Sequence, residues 1–416
     1  CLVGSEMCIR DRSMSEWVKK QLSQLALLSK GQQMAKIHLE KEGDYYVLNG
    51  GQNPSGYLNK WNTEADTISI SEGGNSCGYV AYNSTRFWSG GHNYALKNLS
   101  KEICLLYLYE YLKFKEPDIM RLRVGSGLPN IQKKELSKVQ IQFSTNKQEQ
   151  EKIAEILTTI DIAIDKTTAI IEKYKAIKEG LLQDLLTNGI DENGNIRSPK
   201  THKYKLSPLG MIPVEWDVDK IEHLFKLRAR IGWQGLRSDE FIDEGPYLVT
   251  GTDFDNGRLD WDNCYHVSLE RYFQDVGIKL KNDDLLITKD GTIGKTAMVK
   301  DCPHQVTLNS GVFVIRPINQ KTTTDYLYYL LSDRSFALFI QNNLTGSTIK
   351  HLNQAVLYKM QIKRPDRNEQ IRITQILFAV DEKIDLEYTH QRKLLQIKQG
   401  LMQDLLTHKV AVDALL

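Results

Sequence analysis

The sequence lacks the features of a secreted or membrane-spanning protein. Its six cysteines are scattered over 416 residues and form no CxxC pair. This sparse usage favours a reducing cytoplasm over a disulfide framework. No apolar run approaches the ~18 residues that a membrane-spanning helix needs. We therefore expect a cytoplasmic protein that makes no contact with a membrane.

The chain also has little net charge. Lysine and arginine number 54 against 52 acidic residues, which gives a formal charge of +2. Because the total hides how charge is distributed, it neither supports nor excludes a nucleic-acid partner. A hydrophobic content of 41% and a charged content of 25% are typical of globular proteins. The length suffices for two or three domains.

Residues 1–13 stand apart from the rest of the chain. The run CLVGSEMCIRDR lacks the positive and apolar regions of a signal peptide, and Met14 begins a more natural start. We expect residues 1–13 to be a non-native or artefactual extension and leave them out of the fold prediction.

A long internal repeat dominates what the sequence does contain. Residues 146–190 align without gaps on residues 366–410, at an offset of 220, with 18 identities in 45 positions. Both copies lack proline and carry apolar residues at heptad spacing, which predicts two long helices. We expect the two helices to pair with each other, in an antiparallel arrangement with pseudo-twofold symmetry.

The apolar seam of each predicted helix is expected to serve helix pairing or partner docking. Its positions are Ile153, Leu157, Ile160, Ile164, Leu181 and Leu185 in the first copy, and Ile373, Leu377, Val380, Ile384, Leu401 and Leu405 in the second. Polar residues interrupt both seams, at Thr167, Lys178, Glu387, Gln391 and Lys398. The alternative is two solvated helices whose charges only keep them soluble.

Two unlike segments precede the two helices. Short β-branched runs bounded by turn residues predict strands in both, so the fold class is α+β: two globular domains separated by two long, antiparallel, coiled-coil-like helices. We expect the following parts: a first recognition domain at 14–145, a spacer helix at 146–190, a linker at 191–213, a second recognition domain at 214–365, a spacer helix at 366–410 and a tail at 411–416.

No catalytic or metal site emerges from the motifs. LLITKDGTIGKT (285–296) resembles a phosphate loop, but Lys289 occupies the position of its first glycine. Cys264, His266, Cys302 and His304 offer metal-ligand atoms at a spacing that is unusual for zinc. Asp381-Glu382-Lys383, which could suggest a nuclease, lies on a repeated helix surface, and no methyltransferase motif is complete. We therefore predict no catalytic residue and no metal.

Polar and aromatic loops suited to reading DNA occur in both segments. Arginine, lysine, asparagine and glutamine can contact base edges, while serine and threonine bind phosphates. Ordinary solvated turns are the alternative for each loop taken singly. The candidate contacts are Asn53, Ser55, Tyr57, Asn75, Ser76, Arg86, His92, Asn93, Arg230, Trp233, Gln234, Arg237, Lys289, Thr292, Lys295, Ser347 and Lys350.

These features together resemble the specificity subunit of type I restriction–modification systems. The resemblance covers nearly everything from Met14 onward. Its most specific parts are the helix endings Gly-Leu-Leu-Gln-Asp-Leu-Leu-Thr (180–187) and Gly-Leu-Met-Gln-Asp-Leu-Leu-Thr (400–407), and the phrase Leu-Gly-Met-Ile-Pro-Val-Glu-Trp (209–216).

The resemblance implies a non-catalytic subunit that serves phage defence and DNA methylation. Each domain would read one half of a split target in double-stranded DNA, and the helices would set the gap. Two modification (methyltransferase) subunits would dock on the helices, and restriction (motor–nuclease) subunits would join them. No cofactor is expected in this chain: S-adenosylmethionine would belong to the modification subunits, and ATP and Mg²⁺ to the restriction subunits. The alternatives are a stand-alone nuclease or methyltransferase, and a coiled-coil scaffold that never touches DNA.

Overall fold

A computed structural model of the chain describes residues 16–125, 127–231, 236–343 and 351–412. The chain forms two compact units, and the division falls inside the two long helices. The first unit comprises Cys1–Ala169 and Tyr388–Leu416, and the second comprises Ile170–Glu387. Each unit therefore holds one globular domain together with half of each long helix.

The first domain combines strands and short helices. Its elements, followed by the first long helix, are β1 (Trp17–Gln21), α1 (Leu22–Leu25), β2 (Leu27–Lys30), β3 (Tyr45–Leu48), β4 (Tyr57–Leu58), β5 (Thr67–Ser71), β6 (Val80–Asn83), β7 (Trp88–Ser89), β8 (Asn93–Lys97), α2 (Leu105–Phe114), α3 (Glu116–Arg121), α4 (Lys133–Ser137), β9 (Gln140–Ser144) and α5 (Lys147–Thr187). The strands form a sheet in the order β2-β8-β5-β6, a second sheet in the order β4-β3-β7, and the pair β1-β9.

The second domain repeats this plan with additions. Its elements, ending with the second long helix, are β10 (Tyr204–Ser207), β11 (Gly210–Pro213), β12 (Asp217–Lys220), α6 (Ile221–Leu224), β13 (Phe225–Arg228), β14 (Ile242–Val249), β15 (Phe254–Asp255), β16 (Arg258–Leu259), β17 (Tyr265–His266), α7 (Leu269–Phe273), β18 (Leu285–Thr288), β19 (Thr296–Met298), β20 (Val306–Leu308), β21 (Val312–Pro317), α8 (Thr324–Ser332), α9 (Arg334–Asn343), α10 (Gln354–Lys359), β22 (Gln361–Arg364) and α11 (Arg367–Leu406).

The two domains share one sheet topology. The order β13-β21-β18-β19 in the second domain matches β2-β8-β5-β6 in the first, and the pair β12-β22 matches β1-β9. The central strands β5 and β18 are buried along their whole length, so each sheet is covered on both faces at its centre. The predicted α+β class with two related domains is confirmed.

The long helices begin where the repeat predicts, because the same type of residue caps each one. Asn146 Oδ1 accepts a hydrogen bond from Gln148 N at 3.0 Å, and Asp366 Oδ1 accepts from Asn368 N at 2.8 Å. Such side-chain oxygens satisfy backbone donors that a helix leaves free at its start.

The first long helix ends at Thr187, short of the predicted residue 190. Gly189 adopts a positive φ of +65°, which terminates the helix in the left-handed conformation that glycine favours. A Cβ at Gly189 would stand 2.1 Å from Glu369 Oε1 and 2.4 Å from the Trp216 ring, so only glycine fits there. The second helix likewise ends at Leu406 rather than residue 410, and His408 has a φ of +58°.

A buried glutamine anchors each long helix to its own domain. Gln150 Nε2 donates to Ser144 O at 2.7 Å and to Glu102 O at 2.9 Å, while its Oε1 accepts from Cys104 N at 2.7 Å. The equivalent Gln370 makes the same three bonds, with Pro365 O, Lys321 O and Thr323 N. Both glutamines are fully buried, so these bonds satisfy every polar atom of an otherwise costly side chain.

Within each unit the two half-helices run antiparallel. In the first unit Asp161 bonds Lys398 at 2.5 Å, and Thr168 Oγ1 accepts from Gln391 Nε2 at 2.7 Å. In the second unit Lys178 lies 2.5 Å from Asp381. Because numbers rise along one helix as they fall along the other, the predicted antiparallel pairing is confirmed. The polar interruptions Lys178, Gln391 and Lys398 therefore bond across the pair.

The repeat makes the two ion pairs equivalent, but their surroundings differ. Asp161–Lys398 and Asp381–Lys178 are related by the offset of 220. In the first unit Glu110 of α2 lies beside the pair, with Oε2 3.2 Å from Lys398 Nζ. In the second unit Tyr329 of α8 takes this place, and its hydroxyl donates to Asp381 at 2.9 Å. A buried carboxyl thus faces one helix pair and a neutral phenol faces the other.

Burial makes Glu110 an unusual acid. Its side chain is 1% exposed. Desolvation raises the pKa of Glu110 to about 7, although the charge of Lys398 opposes that shift and Asp161 adds to it. Burial therefore favours the protonated form of this carboxyl.

Candidate nucleic-acid interface

Three loops of the first domain meet at one end of its β2-β8-β5-β6 sheet. Ser71 Oγ donates to Gly50 O at 2.6 Å, and His92 N donates to Asn49 Oδ1 at 3.2 Å. Glu72 N donates to His92 O at 2.9 Å. These bonds bring the loops that follow β3, β5 and β7 into one surface, as the sequence prediction of a loop-built interface requires.

Most of the predicted contact residues of the first domain are accessible, but Arg86 is not part of this surface. It follows β6, whose Asn83 pairs with Thr67 at the end of β5 opposite Ser71. Exposed are Asn53, Ser55, Asn75, Arg86 and His92, and half-buried are Tyr57 and Ser76. Arg86 is already partnered, since its Nε donates to Glu64 at 2.9 Å and its guanidinium lies 4.4 Å over the Trp61 ring.

Asn93 requires a correction. Its side chain is 3% exposed, and its Nδ2 donates to Ser89 Oγ at 3.2 Å. Asn93 opens strand β8, where its side chain faces the interior, so it supports the fold rather than the accessible surface.

Sequence reasoning missed Glu72, whose largely buried carboxylate contacts several side chains of this surface. The Glu72 carboxylate accepts from Tyr94 Oη at 2.7 Å and from Lys30 Nζ at 2.7 Å, and His92 Nδ1 lies 3.8 Å away. Its position directly after a fully buried strand could have identified it as a charged residue held at the end of the sheet. The carboxylate holds two exposed cationic or titratable side chains, Lys30 and His92, at the loop surface.

In the second domain a threonine-stabilised turn carries three predicted residues. Thr288 Oγ1 donates to Thr292 O at 2.5 Å and accepts from Lys295 N at 3.0 Å. Thr292 and Lys295 are exposed on this turn, and Lys289 is half-buried at its base. Because Thr288 uses the Lys295 amide, the turn is closed on itself and is unlike a phosphate loop, whose amides point at the ligand.

Arg230 also requires a correction. It is 1% exposed, and its guanidinium donates to Leu308 O at 2.8 Å, Thr307 Oγ1 at 3.1 Å and Gln274 Oε1 at 3.1 Å. Arg230 therefore stabilises the interior of the domain and does not lie on its accessible surface. Arg237 is exposed. Trp233, Gln234, Ser347 and Lys350 lie outside the described residues.

The residue after the central strand occupies an equivalent place in both domains. Glu72 N bonds His92 O, and Glu72 O accepts from Ile131 N at 2.8 Å. Lys289 makes the same two bonds, with Gly311 O at 2.8 Å and Leu352 N at 3.0 Å. The neighbouring strand places Tyr94 opposite Ile70 and Phe313 opposite Ile287. Positions 72 and 289 thus correspond, with opposite charges.

The predicted seam residues of the long helices face inward. Ile153, Leu157 and Leu405 join the core of the first unit, and Leu185, Ile373 and Leu377 join a core of the second. Ile384 is buried, and Ile160, Ile164, Leu181, Val380 and Leu401 are half-buried. These positions hold the helices and domains together. The large apolar side chains left exposed on the two helices are Ile162, Ile170, Ile177, Ile371, Phe378, Leu386, Leu395 and Ile397.

The described residues contain no cluster of three or more His, Cys, Asp or Glu side chains able to hold a metal ion. Cys264, one of the metal-ligand candidates, is buried and its Sγ donates to Asp260 O at 3.3 Å. Burial raises the pKa of the Cys264 thiol to about 12, which disfavours the thiolate that a metal would need. In the same part of the chain, no helix combines the length and hydropathy required to cross a membrane.

Known proteins share both the sequence and the fold of this chain. The specificity subunit of the type I restriction enzyme MjaVIII from Methanocaldococcus jannaschii is 24% identical over 74% of this chain and 71% of its own length. A putative type I specificity subunit of Mycoplasma genitalium is 31% identical over 58% of this chain and 59% of its own. The crystal structure of a type I restriction–modification S subunit from M. genitalium has the same fold, with a TM-score of 0.64, 23% identity, and coverage of 95% of this chain and 98% of that one.

The family model described as the type I restriction modification DNA specificity domain matches residues 14–176 and again residues 213–396. Those two matches cover both domains and most of both long helices. The chain therefore belongs to the family of type I restriction–modification specificity subunits.

Proposed function

We propose that this chain reads a bipartite DNA target, one half-site per domain, and has no catalytic activity of its own. The observation that supports this proposal most strongly is that the chain consists of two related units. Both domains share a sheet order and both helices share their glutamine anchors, whereas the loops at the sheet ends differ in sequence and charge. A constant frame with divergent loops suits two readers of different base sequences.

The same proposal assigns chemistry and motor activity to partners. Two modification subunits would supply S-adenosylmethionine chemistry, and restriction subunits would supply ATP and Mg²⁺ chemistry. The outward apolar residues of the long helices support docking there. In the second unit Ile170 and Ile177 of α5 are exposed seven residues apart on one helical face, and apolar side chains grouped on one face are a common feature of protein-binding surfaces.

A direct assay separates the proposal from a stand-alone enzyme. We expect the pure chain to leave DNA uncut with Mg²⁺ and unmethylated with a labelled methyl donor. Addition of the modification subunits encoded with it should produce methylation. Product formed by the pure chain alone would establish an enzyme and contradict the subunit assignment.

A binding assay separates the proposal from a DNA-free scaffold. The complex with the modification subunits should retard a DNA duplex, and the logarithm of its affinity should fall linearly with the logarithm of salt concentration. A complex that forms normally but shows no salt-sensitive DNA binding would favour the scaffold.

The helices are expected to set the spacing between half-sites. We predict that four residues inserted after Ala169, with four more after Glu387, will lengthen the gap in the methylated target and leave both half-sites unchanged. Each insertion adds about one helical turn, near 6 Å. These points divide the two compact units, so the pairing inside each unit is kept.

Methylation mapping in cells measures this outcome. The matched control is a four-residue insertion at Gly194, a turn position with open space around it, which should leave the gap unchanged. Altered half-sites in the helix variant, or an unaltered gap, would show that the helices do not act as the ruler.

A further inference from the structure

The equivalent positions Glu72 and Lys289 differ in more than charge. In the first domain Tyr94 supplies a hydroxyl that holds the Glu72 carboxylate inward. In the second domain the residue at the place of Tyr94 is Phe313, which lacks that hydroxyl, and Lys289 Nζ lies 5.6 Å over its ring. The first domain thus combines a tyrosine with a carboxylate at this place, and the second combines a phenylalanine with an ammonium group. Each aromatic residue suits the charge beside it.

A cavity of about 370 Å³ opens beside Lys289 in the second domain. Its polar lining includes Asp290, His351, Asn353 and Gln354. His351 bonds Asp290 Oδ1, and Lys289 Nζ lies 3.9 Å from Asp290 Oδ2. Hydrogen-bond donors and a carboxylate acceptor thus stand side by side at one place.

The backbone of Lys289 is fixed before any ligand arrives. Its N–H and C=O groups are both bonded, to Gly311 and Leu352, and the preceding strand is fully buried. Binding therefore needs to order only the lysine side chain and not the backbone that carries it.

The lining favours a base pair over a phosphate group. A phosphate would be repelled by the Asp290 carboxylate, whereas a G·C pair offers guanine O6 and N7 as acceptors and cytosine N4 as a donor. Behind the lysine, Arg230 adds a buried positive charge that forms no ion pair within the described residues. That charge favours an electron-rich partner of either kind, so the discrimination against phosphate comes from the Asp290 carboxylate.

We propose that Lys289 and Asp290 together read one G·C base pair in the half-site of the second domain. Lys289 donates to guanine O6 and N7, and Asp290 accepts from cytosine N4. This assignment rests on the proposed DNA-reading function. The first domain, with Glu72 bonded inward at the equivalent position, reads its half-site with other side chains.

The test uses the full chain produced with the modification subunits of its own system, and maps the methylated sites. In Lys289→Met we expect selectivity for G·C at one position of the second half-site to fall by roughly 5- to 150-fold, the range for loss of one good base contact. The first half-site should keep its sequence. Lys289→Gln should weaken selectivity for G·C at the same position without replacing it by A·T, because Asp290 would then face thymine O4, which is an acceptor and not a donor.

The control is Lys281→Met, which removes an exposed lysine elsewhere in the same domain and should leave both half-sites unchanged. Should Lys289→Met abolish methylation, Lys289→Arg, which can still pair with guanine, must restore the wild-type motif. Failure of that rescue overturns the assignment.

Other outcomes also overturn it. An unchanged motif in Lys289→Met shows that the residue makes no base contact. A uniform loss across all sequences, with a salt slope smaller by about one, identifies a phosphate contact instead. If the wild-type complex methylates nothing, the proposed function itself fails, and this result is distinct from every outcome for position 289.

Discussion

Replacing Glu369 with glutamine is expected to lower the free energy of unfolding of the second unit by about 3–5 kcal/mol. Glu369 is 1% exposed, and its carboxylate binds both terminal nitrogens of Arg197, at 2.5 and 3.2 Å. It also accepts from Trp216 Nε1 at 3.1 Å and Ile190 N at 3.0 Å. The amide would keep the size of the side chain but leave the Arg197 charge buried without a carboxylate.

Native-state hydrogen exchange of amides near Ile190 and in the first turns of α11 measures this loss. The control is Glu155→Gln, which breaks an exposed ion pair with Lys152 and should change stability by no more than about 0.5 kcal/mol. Equal small changes in the two variants would show that the buried charge of Glu369 contributes little, and that its neutral hydrogen bonds suffice.

The Glu369 cluster also shows what the sequence could reveal. At the offset of 220 the repeat aligns Glu149 with Glu369 and Gln150 with Gln370. Such similarity predicts equivalent places in two related units. It could not predict Arg197 as the partner of Glu369, because that residue lies in the linker and is brought near only by folding.

The candidate contact residues show the opposite case. Polar composition points to loops that lie at the sheet ends, but it cannot separate their exposed members from their buried ones. Asn93 and Arg230 have the chemistry of base-reading residues, yet both are buried and bonded inside their domains. Composition gives the bonding capacity of a side chain, whereas strand register and packing decide which way it points.

Polar residues in the heptad seams needed the structure for a similar reason. A lysine in an apolar seam reads as an interruption when one helix is considered alone. Lys178 and Lys398 each form an ion pair with an aspartate on the other helix, more than 200 positions away in the chain. The sequence could not reveal the side chain that lies beside each ion pair, which is Glu110 in the first unit and Tyr329 in the second. These two residues differ and lie outside the repeated helices, so the repeat does not mark them.

That difference between Glu110 and Tyr329 predicts a pH-dependent stability confined to the first unit. In the folded chain burial raises the pKa of Glu110 to about 7, above the ordinary value of 4.5. Its contribution to stability is thus fully present below pH 4.5 and is lost as the pH rises through about 7. Lys398 limits the loss because its charge stabilises the ionised carboxyl.

Replacing Lys398 with methionine should therefore be tolerated at acidic pH and costly at alkaline pH. We expect the free energy of unfolding of the first unit to change little at about pH 5 and to fall by about 2–3 kcal/mol at about pH 8.5, where an unpaired buried carboxyl must ionise or hold its proton. The measurement is the stability of the variant and the wild type across this pH range, followed by hydrogen exchange in α2.

Lys178→Met in the second unit is the matched control for Lys398→Met, because the repeat makes the two lysines equivalent. Its neighbour Tyr329 is a phenol whose pKa is raised by burial and by Asp381, so it stays neutral from about pH 5 to pH 8.5. We therefore expect Lys178→Met to cost a similar amount at both ends of the range. Parallel pH curves for Lys398→Met and Lys178→Met would show that Glu110 does not titrate, and that the first unit has no acid-stabilised contact of its own.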